Sequence, residues 1–337
     1  MARRKISFEG QMVLPFEDLD SGFETPGSST RRNIYASSEI KPKAGTAMPS
    51  DRLLYYFSMG SGSSGNSCYV GTKKGGIIID AGVKVDQIEG MLRSNGIDIA
   101  NVTGVLLTHD HSDHVKHVYS LVRNHKHIRV YCTNRVLAGI MRRHSISKRL
   151  KEYHQPIFKE IPFNIGELEI TAFEVPHDGS DNMGFSIFYD KRHFVLATDI
   201  GAVKDRAYYY MSRANYLVIE ANYDLQMLRM GSYPEYLKAR IQTDAGHLDN
   251  MQTAAFLKEI INPSLQNIFL CHLSQDNNTP QKALSAVRTA LEERGKKVGN
   301  ACNTLEDRKA DVQLMALPRY ESTPLFVFRP LPEDLNS

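Results

Sequence analysis

Apolar residues recur along the chain in short runs that end in histidine or an acidic residue. The residues at these ends are Asp80, His109, His177, Asp199, Glu220 and His272. Each run is only a few residues long and rich in Val, Ile and Leu, which is typical of a buried strand. Side chains on separate strand ends meet only when the strands share one edge of a sheet. The pattern therefore predicts that the strand ends build one common site.

The spacing of apolar residues predicts both strands and helices between residues 53 and 328. The predicted strands are 53–57, 68–70, 76–80, 105–107, 128–132, 170–175, 185–189, 193–197, 216–220, 267–271 and 325–328. Helical spacing predicts helices over 85–95, 115–126, 135–144, 251–261 and 280–294. Mixed strands with helices between them predict an α/β protein in which two sheets carry helices on their outer faces.

The first 50 residues differ from the rest of the chain. They are rich in Gly, Ser and Pro and show no sustained period of 2 or 3.6. This composition predicts a disordered N-terminal extension over 1–50, although its few apolar residues could dock on the domain or on a partner. A single folded domain is expected over 51–332, with a short tail at 333–337.

Composition and charge narrow the class of protein further. The 337 residues carry a formal net charge of +3, which permits a polyanionic partner without requiring one. Apolar runs are too short to span a bilayer, and no apolar signal segment follows the basic N-terminus. The cysteines form no Cys-x-x-Cys pair, so we expect reduced thiols that act as small buried hydrophobes in a cytoplasmic protein. They are Cys68, Cys132, Cys271 and Cys302.

The strongest chemical signal is the stretch Thr-His-Asp-His-Ser-Asp-His at 108–114, directly after a predicted strand. Imidazoles and carboxylates are ligands of divalent cations of borderline hardness. His109 and His111 alternate on extended backbone and point to the same side. Asp113 and His114 follow the turn and can face a second ion. A polar surface loop is the alternative, but five ligand-type residues after a buried strand favour a metal centre.

Two further features bear on this centre. Asp80 ends an apolar strand, and a carboxylate buried there needs partners, so we expect it to support the histidine loop from behind. The Gly/Ser loop at 61–67 could cradle a phosphate with its backbone N–H groups. It has no phosphate-binding lysine and opens no helix, so a plain hairpin turn is the favoured interpretation.

Residues 142–151 form the most basic stretch of the chain. A solvated helix end and a nucleic-acid contact explain it equally well. The residues that would contact nucleic acid are Arg142, Arg143, Lys148, Arg149 and Lys151.

The sequence resembles the metallo-β-lactamase fold family of hydrolases over about residues 53–330. The 108–114 motif carries the resemblance, together with His177, Asp199 and His272. It implies a four-layer αβ/βα sandwich of two mixed β-sheets with helices outside. It also implies two divalent metal ions, which could be Zn, Mn or Fe. His109, His111 and His177 would hold the first ion, Asp113, His114 and His272 the second, and Asp199 would bridge them.

Within this superfamily the chain looks most similar to the bacterial YycJ/WalJ-type exonucleases. The segments that carry this similarity are 61–66, 220–224, 246–250 and 271–275. Exonucleases of this type are associated with 5′-to-3′ degradation of DNA. The tRNA 3′-processing ribonucleases of the same fold carry a Glu and a His where this chain has Glu220 and His247, so RNA is a further candidate substrate.

The expected reaction is attack on phosphorus by a hydroxide that two cations activate. His247 would protonate the leaving oxygen, and Glu220 would orient or protonate His247. Asp113 would be a third catalytic residue. Free N–H groups at the helix start after His247 would favour phosphate, although a helix-entry histidine without chemistry is the alternative. Asp110 is expected to support the loop and not to bind metal.

Two other functions remain open at the level of sequence. A small-molecule hydrolase of the same fold would cleave a thioester, a lactone or a cyclic phosphodiester with the same metal ligands. A non-catalytic metal-dependent binding protein is the third candidate, and the complete ligand set argues against it.

Overall fold

A computed structural model describes residues 52–302 and 304–331 of the chain. The expected extension at 1–50 and the tail at 333–337 lie outside the described residues. The strands are β1 (Leu54–Gly60), β2 (Ser67–Thr72), β3 (Gly75–Ile79), β4 (Val102–Leu106), β5 (Arg129–Cys132), β6 (His154–Pro156), β7 (Phe163–Ile165), β8 (Leu168–Glu174), β9 (Met183–Tyr189), β10 (Arg192–Ala197), β11 (Tyr216–Glu220), β12 (Asn267–Cys271), β13 (Val298–Gly299), β14 (Val312–Ala316) and β15 (Phe326–Phe328). The α-helices are α1 (Val85–Ser94), α2 (Ser112–Val115), α3 (Val118–Asn124), α4 (Asn134–Arg143), α5 (Asp205–Met211), α6 (Leu225–Met230), α7 (Glu235–Ile241), α8 (Asn250–Ile260) and α9 (Pro280–Glu292).

The strands form two mixed sheets. The first has the order β15-β1-β2-β3-β4-β5-β6 and the second the order β13-β14-β12-β11-β10-β9-β8-β7. Each sheet combines antiparallel pairs, such as β1 with β2 and β8 with β9, with parallel pairs, such as β3 with β4 and β11 with β12. The two sheets with their helices confirm the predicted α/β sandwich.

Burial along β11 shows how the layers are built. Tyr216 and Val218 belong to one apolar cluster, which also contains β1 and β2 side chains of the first sheet. Leu217 and Ile219 belong to a second cluster together with side chains of α8 and α9. Successive side chains of a strand point to opposite faces, so the strand packs against the other sheet on one face and against helices on the other.

The helix predicted over 115–126 is different in the structure. It begins earlier, at Ser112 inside the metal motif, and is interrupted at Lys116 and His117 before α3 begins. The backbone N–H of His117 donates to the carbonyl of Ala81 at 3.0 Å, across to the segment after β3. This bond ties the motif to the neighbouring strand end and replaces a helical bond.

The strand ends converge as the sequence predicts. Asp80 follows β3, Asp199 follows β10 and His272 follows β12, and each has a positive φ, at 60°, 49° and 52°. Residues other than glycine rarely adopt this left-handed conformation, and when they do it is often at functional sites. The chain therefore bends sharply at the points where strands deliver these side chains.

Two expectations from composition can be compared with the structure. Three cysteines are buried free thiols, but Cys302 is exposed, so its expected burial is wrong. Cys302 lies in the loop after β13, where Asp307 holds its backbone N–H at 3.2 Å and leaves the side chain outside the core.

Among the described residues, the helices are all too short or too polar to cross a bilayer.

Candidate metal centre

The first group of ligand atoms belongs to His109, His111 and His177, which lie together at the strand-end edge. His177 Nε2 is 3.3 Å from His111 Nδ1. Two nitrogens bound at ~2.1 Å to a tetrahedral zinc would be about 3.4 Å apart, so the spacing fits a metal. His109 Nε2 is buried and has no hydrogen-bond partner among the described residues, as expected for a nitrogen reserved for an ion.

The second group consists of Asp113, His114 and His272. Asp113 Oδ2 lies 3.5 Å from His114 Nε2 and 3.5 Å from His272 Nε2. His272 Nε2 is again buried without a hydrogen-bond partner in the described part of the chain. This group therefore offers two nitrogens and one carboxylate oxygen at the spacing of metal ligands.

Asp199 lies between the two groups. Its Oδ2 is 3.1 Å from His114 Nε2, and its Oδ1 is 3.8 Å from His177 Nε2. One carboxylate thus contacts a histidine of each group. A carboxylate in this position can contribute an oxygen to ions on both sides.

The five ligand-type histidines are held from behind by protein atoms. His109 Nδ1 lies 3.0 Å from Thr108 Oγ1, His111 Nε2 3.2 Å from Asp178 Oδ1, His114 Nδ1 2.7 Å from Asp80 Oδ2, His177 Nδ1 2.9 Å from the Gly246 carbonyl and His272 Nδ1 2.9 Å from Glu220 Oε1. Such contacts fix the tautomer and orientation of metal-binding imidazoles. In His109 and His272 the opposite nitrogen, Nε2, has no hydrogen-bond partner in the described part of the chain and is available to an ion.

Asp80 contacts the histidine loop from behind, as its position at a strand end predicts. Its Oδ1 accepts the backbone N–H of Thr108 at 2.9 Å, and its Oδ2 accepts the Thr108 hydroxyl at 2.8 Å. The same carboxylate accepts from His114 Nδ1. These bonds join the end of β3 to the start of the histidine motif, and they satisfy a carboxylate that is 2% exposed.

Electrostatics in the centre favour positive charge. Asp80, Asp199 and Glu220 are all buried. Burial alone would lower the pKa of His272, but the negative charge of Asp199 and the bonds to Asp113 and Glu220 raise it to about 10. The pKa of His114 is also raised, because Asp80 and Asp199 outweigh its burial. Divalent cations supply the charge that these carboxylates demand, and the residues present therefore fit metal binding.

In the first group, the pKa values of two histidines are lowered instead of raised. Burial lowers the pKa of His109 well below its usual value, and neighbouring histidines lower it further. Burial also lowers the pKa of His177. Both rings are therefore neutral near pH 7, which is the form that can donate a lone pair to a metal.

Glu220 and His247 form a pair beside both groups. His247 Nδ1 lies 2.7 Å from Glu220 Oε1, and His272 Nδ1 lies 2.9 Å from the same oxygen. Burial lowers the pKa of His247, but the Glu220 charge and hydrogen bond raise it overall. Its ring centroid is 5.0 Å from that of His177. The side chain is 20% exposed and faces a cavity of about 220 Å³ that His177 and His272 also line.

One expectation about His247 is wrong. The helix start after it does not offer free N–H groups, because the Asp249 side chain accepts the N–H groups of Met251 and Gln252, each at 2.7 Å. The side-chain oxygen of Gln252 accepts the backbone N–H of Asp249, which completes a capping box. Asp249 also brings negative charge to this helix end, so phosphate is not favoured there.

The Gly/Ser loop is more than a plain hairpin turn. Asn66 Nδ2 donates to Asp113 Oδ2 at 3.0 Å and lies 2.9 Å from His114 Nε2. Ser61 Oγ accepts the backbone N–H of His272 at 2.8 Å. The loop therefore braces three residues of the second ligand group, which sequence spacing could not show.

Asp110 binds none of the ligand atoms and connects two loops of the site, in line with its expected role. Its carboxylate accepts the N–H and the hydroxyl of Ser180, at 2.8 and 2.7 Å. Arg143 Nη1 lies 3.4 Å from the same side chain, and Arg142 Nη2 donates to Ser180 Oγ at 3.1 Å. The start of the basic stretch therefore abuts the metal loop.

The rest of the basic stretch lies on the surface. Arg149 pairs with Glu152, and Lys148 and Lys151 are exposed. A groove of about 390 Å³ runs between Lys151 and the α4 residues Leu137 and Arg142. Both interpretations of the stretch are compatible with this placement.

Asp178 is a site residue that sequence reasoning missed. Its Oδ1 lies 3.2 Å from His111 Nε2 and 3.6 Å from His177 Nε2. Its Oδ2 accepts Arg240 Nε at 2.7 Å. Its place directly after His177 was the one available signal, because a carboxylate beside a ligand histidine can orient a neighbouring imidazole.

Comparison with known proteins identifies the family of the chain. A sequence profile described as "Beta-lactamase superfamily domain" matches residues 76–268. Exodeoxyribonuclease YycJ of Bacillus anthracis is 34% identical over 254 residues, which cover 74% of this chain and 93% of that protein. Exodeoxyribonuclease WalJ of Streptococcus pneumoniae is 33% identical over 229 residues, 68% of this chain and 84% of its own.

A solved structure supports the fold. The metallo-β-lactamase fold protein YhfI of Bacillus subtilis superposes with a TM-score of 0.58 at 13% identity, over 82% of this chain and 100% of its own. The chain belongs to the metallo-β-lactamase superfamily, within the family of YycJ and WalJ. It is therefore a metal-dependent hydrolase.

Proposed function

We propose that this protein is a DNA exonuclease that uses two divalent cations, Zn, Mn or Fe, and releases nucleotides from the 5′ end. The observation that carries the proposal is the Glu220–His247 pair, because His247 lines the same cavity as His177 of the first group and His272 of the second. The names of the YycJ and WalJ relatives support DNA as the substrate. The 5′ polarity rests on the resemblance to this family.

The ligand residues have distinct tasks in this proposal. His109, His111 and His177 would hold one ion and Asp113, His114 and His272 the other, with Asp199 between the two groups. When bound, the cations would supply the charge that lowers the pKa of a water and neutralises a phosphate. Asp80 and Glu220 keep His114 and His272 in their ligand orientation.

His247 supplies the proton that the leaving sugar oxygen needs. Glu220 accepts the Nδ1–H bond, which leaves Nε2 directed away from the carboxylate and available to the substrate. Burial lowers the pKa of His247, but the Glu220 and Asp199 charges raise it overall, which favours the protonated ring. Asp113 acts in catalysis through its place among the ligands and its bond with Asn66.

The basic stretch contributes substrate contacts. Arg142 and Lys151 line the surface groove beside α4, and Arg142 and Arg143 reach Ser180 and the Asp110 loop. The exposed residues Lys148 and Arg149 complete the proposed contact surface. Phosphate contacts of this kind release counterions, so DNA affinity should fall steeply with salt. A hydrolase of small esters would lack this salt dependence.

Digestion of labelled oligonucleotides tests the proposal. Single- and double-stranded DNA with label at the 5′ or the 3′ end is incubated with Mn²⁺ or Zn²⁺, beside the Asp199→Ala variant. We expect metal-dependent release of the 5′ label, which the variant lacks. DNA that stays intact under every metal would overturn the proposal, and hydrolysis of a thioester, lactone or cyclic phosphodiester would then support the small-molecule alternative.

A further inference from the structure

Arg240 links helix α7 to the first ligand group. Its Nε donates to Asp178 Oδ2 at 2.7 Å, and its Nη2 donates to the same oxygen. The other oxygen, Asp178 Oδ1, lies 3.2 Å from His111 Nε2. One carboxylate therefore bonds an arginine through one oxygen and lies within ion-pair distance of a proposed ligand histidine through the other.

The Arg240 guanidinium is placed to meet a substrate. Its side chain is 59% exposed and lines the same cavity of about 220 Å³ as His247. Among the described residues, Nη1 has no hydrogen-bond partner, so this nitrogen and the outer side of the group can bind an anion. The planar guanidinium suits phosphate, since it presents several donors in a fixed geometry.

The position of Arg240 separates it from the reacting phosphate. Asp178 contacts His111 at Nε2, whereas His111 Nδ1 faces His177 and the centre. Asp178 Oδ1 also lies 3.6 Å from the proposed ligand atom His177 Nε2, so the guanidinium is one carboxylate further out than the first ligand group. A phosphate bound by the guanidinium would therefore lie outside the first ligand group, beside a phosphate held at the metal centre.

We propose that Arg240 binds a phosphate of the DNA strand next to the one that is cleaved, with Asp178 as the positioning residue that holds both Arg240 and His111. The inference rests on the proposed DNA exonuclease function. It assigns to Arg240 the discrimination between a nucleic acid and a small phosphodiester.

Kinetics of Arg240→Gln on two substrates test this role. A single-stranded oligonucleotide has neighbouring phosphates, whereas bis(p-nitrophenyl) phosphate has one phosphodiester and no neighbour. We expect the ratio of kcat/KM on DNA to kcat/KM on the small ester to fall about tenfold or more, mainly through KM, as for the loss of a charge-assisted hydrogen bond. Arg240→Lys keeps the charge and should recover part of the ratio.

Binding gives a readout that does not depend on turnover. In an Asp199→Ala background, the affinity for a fluorescein-labelled single strand is measured by anisotropy over a range of salt concentrations. Loss of one phosphate contact should reduce the slope of log affinity against log salt by about 0.7. Arg129→Gln is the matched control, because Arg129 is exposed at the start of β5, at the opposite end of the strands, and should change neither slope nor ratio.

Asp178→Asn separates positioning from direct contact. It should weaken metal binding, measured by competition with a chromogenic chelator, by about 10–100-fold, because His111 loses its carboxylate. Arg240→Gln should leave metal affinity within about twofold of the parent protein. Equal loss on both substrates together with metal loss in Arg240→Gln would show a structural role and overturn the inference.

Two further outcomes are distinguishable. If the parent protein digests DNA but Arg240→Gln has the parent KM and salt slope, the inference fails and the exonuclease function stands. If the parent protein leaves DNA intact with every metal, the proposed function and the inference are both overturned.

Discussion

His247 and His272 share a single carboxylate oxygen. Glu220 Oε1 contacts His247 Nδ1 at 2.7 Å and His272 Nδ1 at 2.9 Å, so one buried group serves both a proposed acid and a proposed metal ligand. A general acid matters most when the leaving group is a poor one. The two tasks of Glu220 can therefore be separated by substitution of His247 alone.

His247→Ala should lower kcat on DNA by about 10²–10⁴, since the leaving sugar oxygen loses its proton donor. Bis(p-nitrophenyl) phosphate has a good leaving group and should lose far less. The comparison is made by steady-state kinetics on both substrates. An exposed histidine, His127, provides the control as His127→Ala. Equal losses on DNA and on the ester would contradict the acid role.

Asp80 is the second residue whose contacts make a specific prediction. Asp80→Asn keeps the shape of the side chain but removes the charge that faces His114 Nδ1. We expect divalent-metal affinity to fall by about 10–100-fold, measured by competition with a chelator of known affinity. Asp86→Asn, at an exposed position in the first turn of α1, should have the parent affinity. An unchanged affinity in Asp80→Asn would mean that Asp80 does not support the metal.

At the level of elements, the centre depends on how closely neighbouring segments approach. Asn66 N–H donates to the Asp113 carbonyl at 2.8 Å, and Ala81 N–H donates to the His114 carbonyl at 2.7 Å. The segments after β1, β3 and β4 are thus bonded backbone to backbone. Gly82 lies at this junction, where a Cβ atom would be 1.6 Å from the Asp113 carbonyl oxygen.

Gly82→Ala and Gly90→Ala should therefore change the free energy of unfolding in opposite directions. At Gly82 the added methyl must displace the metal loop, which we expect to destabilise the protein by about 1–3 kcal/mol. At Gly90, inside α1, nothing lies within 4 Å of the position that an added methyl group would take, and alanine should stabilise the helix by about 0.5–1 kcal/mol. Urea unfolding measures both. A neutral Gly82→Ala would show that the junction can relax.

At the scale of the whole molecule, the ligand atoms come from both sheets. The motif at 109–114 follows β4 of the first sheet, whereas His177, Asp199 and His272 follow strands of the second. Bound ions would therefore connect the two sheets at one edge. The apolar clusters hold the sheets and helices together elsewhere, so we expect the fold itself to persist without this connection.

Removal of metal should thus lower Tm without loss of secondary structure. An ion present at a hundredfold excess over its Kd stabilises the native state by about 2.7 kcal/mol. We expect chelation to lower Tm while the far-UV circular dichroism at 25 °C stays the same, and Zn²⁺ or Mn²⁺ to restore it. Asp199→Ala should regain less Tm than the parent protein. Loss of helical signal on chelation would contradict this expectation.

Local pattern predicted most of the secondary structure near the site. Strands β11 and β12 have the predicted bounds, because each is a short apolar run with a polar residue at its end. β14 was missed although it lies beside β12 in the second sheet, and the alternation of Val312 and Leu314 with polar Gln313 was the available signal. The helices α5 to α7 were missed because their apolar spacing is weak.

The residues that could bind metal, and the strand end that each of them follows, can be recognised from the sequence. This information is local, since the 108–114 motif and the residues after β8, β10 and β12 can be recognised from their neighbours in the chain. The tertiary structure decided which atoms support them. Asn66 meets Asp113 across 47 residues, Arg240 meets Asp178 across 62 and Ser61 meets His272 across 211. The periodicity of a sequence cannot predict contacts at such separations, because they depend on the order of the strands and on how the loops pack.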